Sequence, residues 1–256
     1  VVYGLSTQGG GQIVAINSSG VCVEVIGFNK TKIAMPALLE IREIDNEEIL
    51  FVGGRTHEGG GKKGKLYVKN LTTGAQKRCS ISNGQYFGSS LAGNKAMSMT
   101  ISNNGDYIYL ARGQSLFGFE LSKDGNNLYC PTDGNWDYYI NTGRNRVQSP
   151  SVQNSYTDDI KDIYSIKYSR DVNNKIYTTS KNSHVLQRIS VNHTNFTESL
   201  DITIGKNGTG SVFDNQDPGT VSAANVEFNS PGRAASTSVS NNLFVSSSRV
   251  LVGDRN

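Results

Sequence analysis

The sequence predicts an all-β chain of repeated four-stranded antiparallel units, and three observations carry that prediction. The first is a short run that recurs: Ile49–Val52, Tyr107–Leu110, Lys175–Thr178 and Asn242–Val245, with Val1-Val2-Tyr3 as a fifth copy. The same slot is aromatic each time, at Tyr3, Phe51, Tyr109, Tyr177 and Phe244. The second is that each copy leads into a polar or Gly-rich link, a second alternating run, a turn and a further strand. The third is composition. Gly (28 residues) and Tyr (12) are abundant and hydrophobic residues are 36%, which suits short strands and tight turns.

The second alternating runs are Ile13–Ile16, Leu66–Val68, Leu116–Phe119, Val185–Ile189 and Val250–Val252. The turns read Asn17-Ser18-Ser19-Gly20, Thr72-Thr73-Gly74 and Lys123-Asp124-Gly125, residue types that tolerate positive φ and close hairpins. The next strands are Val21–Ile26, Gln76–Ile81, Asn127–Cys130 and Glu198–Ile204. Leu39–Ile44, Ala96–Ile101 and Ile163–Tyr168 precede the aromatic strands. Helix has little support. Its best candidate, Ala37–Ile44, alternates as readily as it turns and comes after Pro36.

Four short antiparallel strands per unit describe β-propeller blades. A two-sheet sandwich also gives many short strands, but it does not place one aromatic in the same strand of every repeat. The expected fold is therefore a β-propeller of about five or more four-stranded antiparallel blades, with incomplete terminal blades. A single domain is expected over 1–256, with approximate blades at 1–27, 28–82, 83–134, 135–208 and 209–256. The aromatic slots are 48 to 68 residues apart, a drift that loop insertions explain. The first repeat shows second, third and fourth strands, and the last shows first, second and third. These ends point to a piece of a larger protein, or to a subunit whose open edges pair with another copy.

Residues 203–256 resemble an NHL-type repeat. The residues that carry the resemblance are Gly205–Gly210, the acidic turn Asp214–Asp217, Ser222-Ala223-Ala224, Phe228-Asn229-Ser230-Pro231-Gly232-Arg233-Ala234-Ala235 and Asn241–Val245. Over residues 1–134 only the strand order and the aromatic slot persist. The Asp that the family carries after its aromatic strand is replaced by Gly, Arg or Ser. The resemblance implies a propeller. Because NHL-like propellers include lyases and hydrolases that act near a metal in the central channel, it also allows an enzyme.

Charge and hydropathy exclude other classes. With 25 basic against 22 acidic residues the net charge is +3, without the concentrated basic face of a nucleic-acid binder. The cluster Lys62, Lys63 and Lys65 reads as a solvated hairpin tip. No stretch approaches the ~20 apolar residues of a membrane helix. The start at Val-Val-Tyr, with no signal peptide, is expected of a mature or excised segment.

Cys22, Cys79 and Cys130 fall in the last strand of successive units. Outer strands of neighbouring blades are expected to splay beyond the ~5.5 Å Cα separation of a disulfide. The cysteines then read as small semi-buried fillers, with intermolecular bridging of the odd one open in an oxidising setting. No C-x-x-C supports zinc or redox chemistry. Six sequons, at Asn17, Asn29, Asn70, Asn192, Asn195 and Asn207, sit mostly at turns and permit an extracellular glycoprotein.

No catalytic constellation stands out. His57, His184 and His193 have no metal spacing. Asp133, Asp137, Asp158, Asp159 and Asp162 could offer oxygens to Ca²⁺, but without an EF-hand they read as solvated loop, so no cofactor is expected. Gly59–Gly64 lacks the phosphate-loop spacing. The best binding surface is the insertion 135–162, with Trp136, Tyr138, Tyr139, Arg144 and Arg146, residue types that anchor interfaces and stack on sugars. Its rival is an insertion packed over its own blade. The expected function is a non-catalytic extracellular or cell-surface module that binds protein or glycan, or builds a filament or appendage with copies of itself. The alternative is a propeller lyase or hydrolase with a metal in the channel.

Overall fold

The computed structural model describes residues 2–6, 12–27, 35–56, 63–79, 96–112, 115–132, 138–141, 154–156, 163, 165–169, 173–180, 185–194, 197–204, 231–235 and 251–254. Among them every regular element is a strand. The chain divides into two compact units, residues 1–96 with 120–135, and residues 97–119 with 136–256.

In the first unit, β1 (Val2–Ser6), β2 (Gln12–Ile16) and β3 (Cys22–Gly27) form a meander in that order. A second meander consists of β4 (Met35–Ile44), β5 (Glu47–Thr56), β6 (Lys63–Asn70) and β7 (Gln76–Cys79). Both are antiparallel throughout. The β4–β5 connection is the two-residue turn Asp45-Asn46, with φ of 53° and 62°. Asn and Asp tolerate this left-handed pair, whose twist matches the flanking strands. The end of β10 (Ser115–Lys123) and β11 (Tyr129–Pro131) complete this unit.

The strand β5 explains why a central run is continuously apolar. Ile49, Leu50, Phe51 and Val52 are all fully buried, because both faces of the sheet are covered. Leu50, Val52 and Tyr67 pack with Ile13 and Ile26 of the β1–β3 meander, with Tyr3 against the same cluster. On the opposite face Phe51 meets Tyr129 of β11, with ring centroids 6.5 Å apart. A bulge between Pro36 and Leu38 brings Leu38 opposite Gly53. A Cβ on Gly53 would lie 3.0 Å from Leu38 Cδ1, so the glycine there makes room for the leucine.

In the second unit, β8 (Ala96–Ile101), β9 (Tyr107–Arg112) and the start of β10 continue into β12 (Tyr138–Asn141) and β13 (Asn154–Tyr156). The meander β14 (Ser165–Tyr168), β15 (Lys175–Ser180), β16 (Val185–Asn192) and β17 (Thr197–Ile204) is antiparallel and four-stranded. The antiparallel pair β18 (Pro231–Ala235) and β19 (Leu251–Asp254) completes the described part of the unit, and β18 lies against β14 and β15. Ile108, Tyr109, Leu110 and Ala111 of β9 are fully buried, matching β5. Tyr109 stacks at 5.9 Å on Tyr168 of β14, inside a cluster with Ile166, Ile176 and Ile189. At the neighbouring sheet edge, Ser98 Oγ donates to the Ile166 carbonyl and accepts from its N–H, both at 3.1 Å, and Thr100 Oγ1 accepts from Tyr168 N–H. Side-chain hydroxyls from β8 thus satisfy backbone groups that an edge strand leaves open.

The chain is therefore all-β and built of propeller-type antiparallel meanders. Of the five repeated aromatics, Phe51 and Tyr109 each reach the next sheet in the chain, and Phe244 lies outside the described residues. Such ring pairs add about 0.5–1.5 kcal/mol beyond the area they bury.

Three expectations need correction. Cys79 and Cys130 are bonded to each other, with Cα atoms 5.5 Å apart, and only Cys22 is free. The outer strands converge here because β11 is three residues long and pairs with the end of β10, beside β6 of the neighbouring meander. Second, Tyr138 and Tyr139 are not loop residues: β12 pairs antiparallel with β10 and parallel with β13. The β-favouring run Tyr-Tyr-Ile has added itself to an open edge. Third, Lys63 and Lys65 lie in β6 rather than at a hairpin tip, opposite Thr56 and Gly54.

Candidate functional site

Among the described residues, polar groups gather at a junction in the first unit and around a groove in the second. In the first unit the disulfide Cys79–Cys130 is buried, and polar contacts surround the same junction. Asp45, at the β4–β5 turn, accepts from Lys123 Nζ at 2.8 Å and from the Tyr129 hydroxyl at 3.3 Å. Hydrogen bonding and charge from Lys123 hold the Asp45 carboxyl below its usual range. Glu47 Oε2 accepts from Asn70 Nδ2 at 2.8 Å and from Asn127 Nδ2 at 2.9 Å. Lys77 pairs with Asp124 at 3.0 Å.

Local sequence sets up these contacts. Asp124 Oδ1 accepts from Asn126 and Leu128 N–H, an Asx turn that needs no special residue at Gly125. The left-handed position falls instead on Asn127, with φ of 56°. Asn17 and Asn70 close their turns the same way, and there the positive φ falls on Gly20 and Gly74. The exposed ion pairs contribute little singly. The bridge and the amide contacts of Glu47 with buried Asn70 and half-buried Asn127 do most of the fastening of the β10–β11 hairpin to the β4–β7 sheet.

In the second unit a polar groove of about 590 Å³ opens at the β16–β17 turn, lined by Asn174, Asn192, His193, Thr194, Glu198 and Ser199 among others. One lining residue, His193, is held by aromatic rings. The His193 ring stacks on Tyr107 at 3.8 Å and 7°, and its Nε2 is hydrogen-bonded to the Tyr109 hydroxyl. Burial pushes the His193 pKa down to about 4 and raises that of Tyr109 well above its ordinary value. At neutral pH the tyrosine therefore keeps its proton and donates, and Nε2 accepts. A histidine so placed is neutral with that nitrogen engaged, an anchor for the turn rather than a base.

Beside the groove lies a compact ion cluster. Asp201 accepts from Ser190 Oγ at 2.5 Å, from Lys175 Nζ at 2.7 Å and from Arg188 Nε at 3.2 Å. Register explains it. Arg188 pairs with Ile202 and Ile189 with Leu200, leaving Asp201 as the extra residue of a β-bulge. The bulge turns its carboxylate onto the face of Arg188 and Ser190. Burial raises the Asp201 pKa, but hydrogen bonds from Lys175 and Ser190 and the charges of Lys175 and Arg188 outweigh it, so the net shift is downward.

Of the residues expected to bind, Tyr138 and Tyr139 are consecutive in β12, opposite Gly118 and Phe117. Trp136, Arg144 and Arg146 lie outside the described residues, as do His57, His184 and the acidic group Asp133, Asp137, Asp158, Asp159 and Asp162. Asn29, Asn195 and Asn207 also lie outside. Among the described residues no three His, Cys, Asp or Glu side chains gather as a metal site would require. Sequence reasoning missed the His193–Tyr109 contact, which joins residues 84 apart, and the Cys79–Cys130 bond. The signal for the second was the set of three cysteines in the last strands of successive units, which does not say which two pair.

No family model matches the chain, and no curated protein does. Solved structures do. One is KlAtg21 in complex with the coiled coil of AgAtg16, at 12% identity and TM-score 0.44, covering 79% of this chain and 52% of that one. A candidate 6-phosphogluconolactonase from Bacteroides uniformis is 13% identical with TM-score 0.43, covering 78% of this chain and 53% of its own. The β-propeller domain of Myceliophteria thermophila Cps50 (Swd1) is 9% identical with TM-score 0.42, covering 79% and 55%. The chain thus spans about half the length of these structures. The fold stands on sheet order and register rather than on these likenesses.

Proposed function

We propose that the chain is a non-catalytic extracellular or cell-surface module that binds protein or glycan, or assembles with copies of itself. The observation that carries the reading is the buried Cys79–Cys130 bridge between two meanders. Structural disulfides persist in oxidising compartments and are rare in the cytosol. Within the first unit the bridge, the Glu47–Asn70–Asn127 contacts and the Phe51–Tyr129 pair fasten the β10–β11 hairpin to the β4–β7 meander, a scaffold of the kind on which connecting segments carry binding residues. The amide-rich groove at His193 is the surface offered to a partner. Self-association has its own support in β3, the outer strand of its meander. Val21, just before β3, and Val23 and Val25 within it are each more than half exposed, and a strand edge with no partner among the described residues templates pairing.

Within the propellers, the NHL-like repeat is the finer assignment proposed, and the described pair β18–β19 includes its Pro231–Ala235 segment. The test is recovery of the native protein from its source, separating medium and envelope from cytosol, then sizing and assay against lactone and ester substrates with and without chelator. The reading predicts protein outside the cytosol, oxidised, in complexes larger than one chain and without turnover. Cytosolic protein with reduced thiols would overturn the compartment. Chelator-sensitive turnover would favour the enzyme.

A further inference from the structure

The described sequons differ in one property that the sequence does not show: whether the folded chain leaves the acceptor nitrogen free. We infer that Asn192 carries an N-linked glycan whose first sugar sits in the groove at the β16–β17 turn, that Asn17 is a second acceptor, and that Asn70 is none. The inference rests on the extracellular reading above.

All three side chains use Oδ1 in the same way. Asn192 Oδ1 accepts from Thr194 N–H at 2.9 Å, Asn17 Oδ1 from Ser19 and Val21 N–H, and Asn70 Oδ1 from Thr72 and Thr73 N–H. That leaves Nδ2 to decide. At Asn70 it donates to Glu47 at 2.8 Å and the residue is fully buried. The sequon hydroxyl, Thr72 Oγ1, accepts from Glu48 N–H. A sugar on that nitrogen would expel Glu47 and open the junction that Asn127 shares, so this fold and a glycan at Asn70 exclude each other.

Asn192 presents the opposite case. It is exposed, as is Thr194, and among the described residues its Nδ2 has no partner. His193, the middle residue of its sequon, is pinned by Tyr107 and Tyr109, which fixes the direction in which Asn192 leaves the strand. The groove beside it holds Asn174, Thr194, Glu198 and Ser199, amides, hydroxyls and a carboxylate suited to the hydroxyl and acetamido groups of a first sugar. The Asn174 Oδ1 already accepts from the Tyr168 hydroxyl, so its NH₂ is the donor available. Asn17 sits at the β2–β3 turn between exposed Ser18 and Ile16, with its NH₂ likewise unengaged among the described residues.

The transfer requires a polyprenyl-diphosphate-linked oligosaccharide, the donor class of secretory membranes. Asn192 Nδ2 forms a bond to the anomeric carbon as the carbon–oxygen bond to the diphosphate breaks. The polyprenyl diphosphate leaves with the bonding pair, Nδ2 loses one proton to a base, and nothing is oxidised or reduced.

The experiment is to produce the full chain through a glycosylating secretory pathway, release glycans with an amidase that converts each occupied Asn to Asp, and map peptides under non-reducing conditions. Conversion at Asn192 and Asn17, none at Asn70, and loss of the Asn192 signal alone in Thr194→Ala are expected. Unconverted Asn192 in secreted protein with an intact Cys79–Cys130 bridge would overturn the inference and spare the extracellular reading. Conversion at Asn70 in folded protein would overturn it too. Protein that is retained with reduced thiols would sink both.

Discussion

Replacing Cys79 and Cys130 by alanine removes the covalent tie between β7 and β11. The residues are 51 apart in sequence. Closing a loop of that length takes roughly 14 cal/mol/K from the unfolded chain, or about 4 kcal/mol at room temperature. Hydrogen exchange read by mass spectrometry resolves the effect locally. Amides of β4–β7 and of the β10–β11 hairpin should exchange about a thousandfold faster in the variant, since each ~1.4 kcal/mol is a factor of ten. Either single variant should cost nearly as much as the double, because one missing sulfur already breaks the bond and the effects do not add. Cys22→Ala, at an exposed position, should stay within about 0.5 kcal/mol of the parent. A loss below about 1 kcal/mol in the double variant, or single losses that sum, would refute the reasoning. So would a faster exchange spread evenly over β14–β17.

Other outcomes rest on single contacts. Gly53→Ala places a Cβ 3.0 Å from Leu38 Cδ1 and 3.1 Å from its Cβ and should cost about 1–3 kcal/mol, with Leu38→Ala in the same chain relieving the clash, as urea midpoints would show. Asp201→Asn removes the charge shared by Lys175 and Arg188 at a site only 16% exposed and should cost about 1–2 kcal/mol. Because the folded carboxyl titrates below its ordinary value, its stabilisation is full above the unfolded pKa and is lost as pH falls through the folded one, a trend absent in the variant. His193 titrates near 4 in the fold against 6.5 unfolded, so protons bind the unfolded chain first. Stability should therefore fall as pH drops from about 6.5 towards 4, by about 2 kcal/mol once solvent screening of this half-buried ring is allowed for. The neighbouring Tyr109, whose pKa burial raises, stays protonated throughout that range, and His193→Gln should flatten the pH profile measured by thermal melts.

Strand positions were legible because alternation and turn chemistry are local. Ile49–Val52 and Tyr107–Leu110 announce central strands by their apolar continuity, and Asn17–Gly20 announces a hairpin by residues that accept positive φ. The Phe51 and Tyr109 slot was legible as a repeat, though not as the contact to the next sheet. What stayed hidden depends on distance across sheets. Strand spacing in sequence says nothing about the approach of β11 to β7, so the bond between Cys79 and Cys130 could not be read. The β-bulge that turns Asp201 inward depends on a one-residue register shift, and no local pattern marks it. The pairing of Tyr138 and Tyr139 with β10 was missed because the surrounding 135–162 segment is rich in Asn, Asp, Ser and Thr, which reads as loop. Asn70 looked like Asn17 and Asn192 because a sequon carries no measure of burial.

Non-reducing peptide mapping of the native protein tests the covalent tie between β7 and β11 most directly. The prediction is one linked peptide pair joining Cys79 to Cys130, with Cys22 open to alkylation without denaturant. A bridge involving Cys22, or three alkylatable thiols in freshly isolated native material, would contradict it.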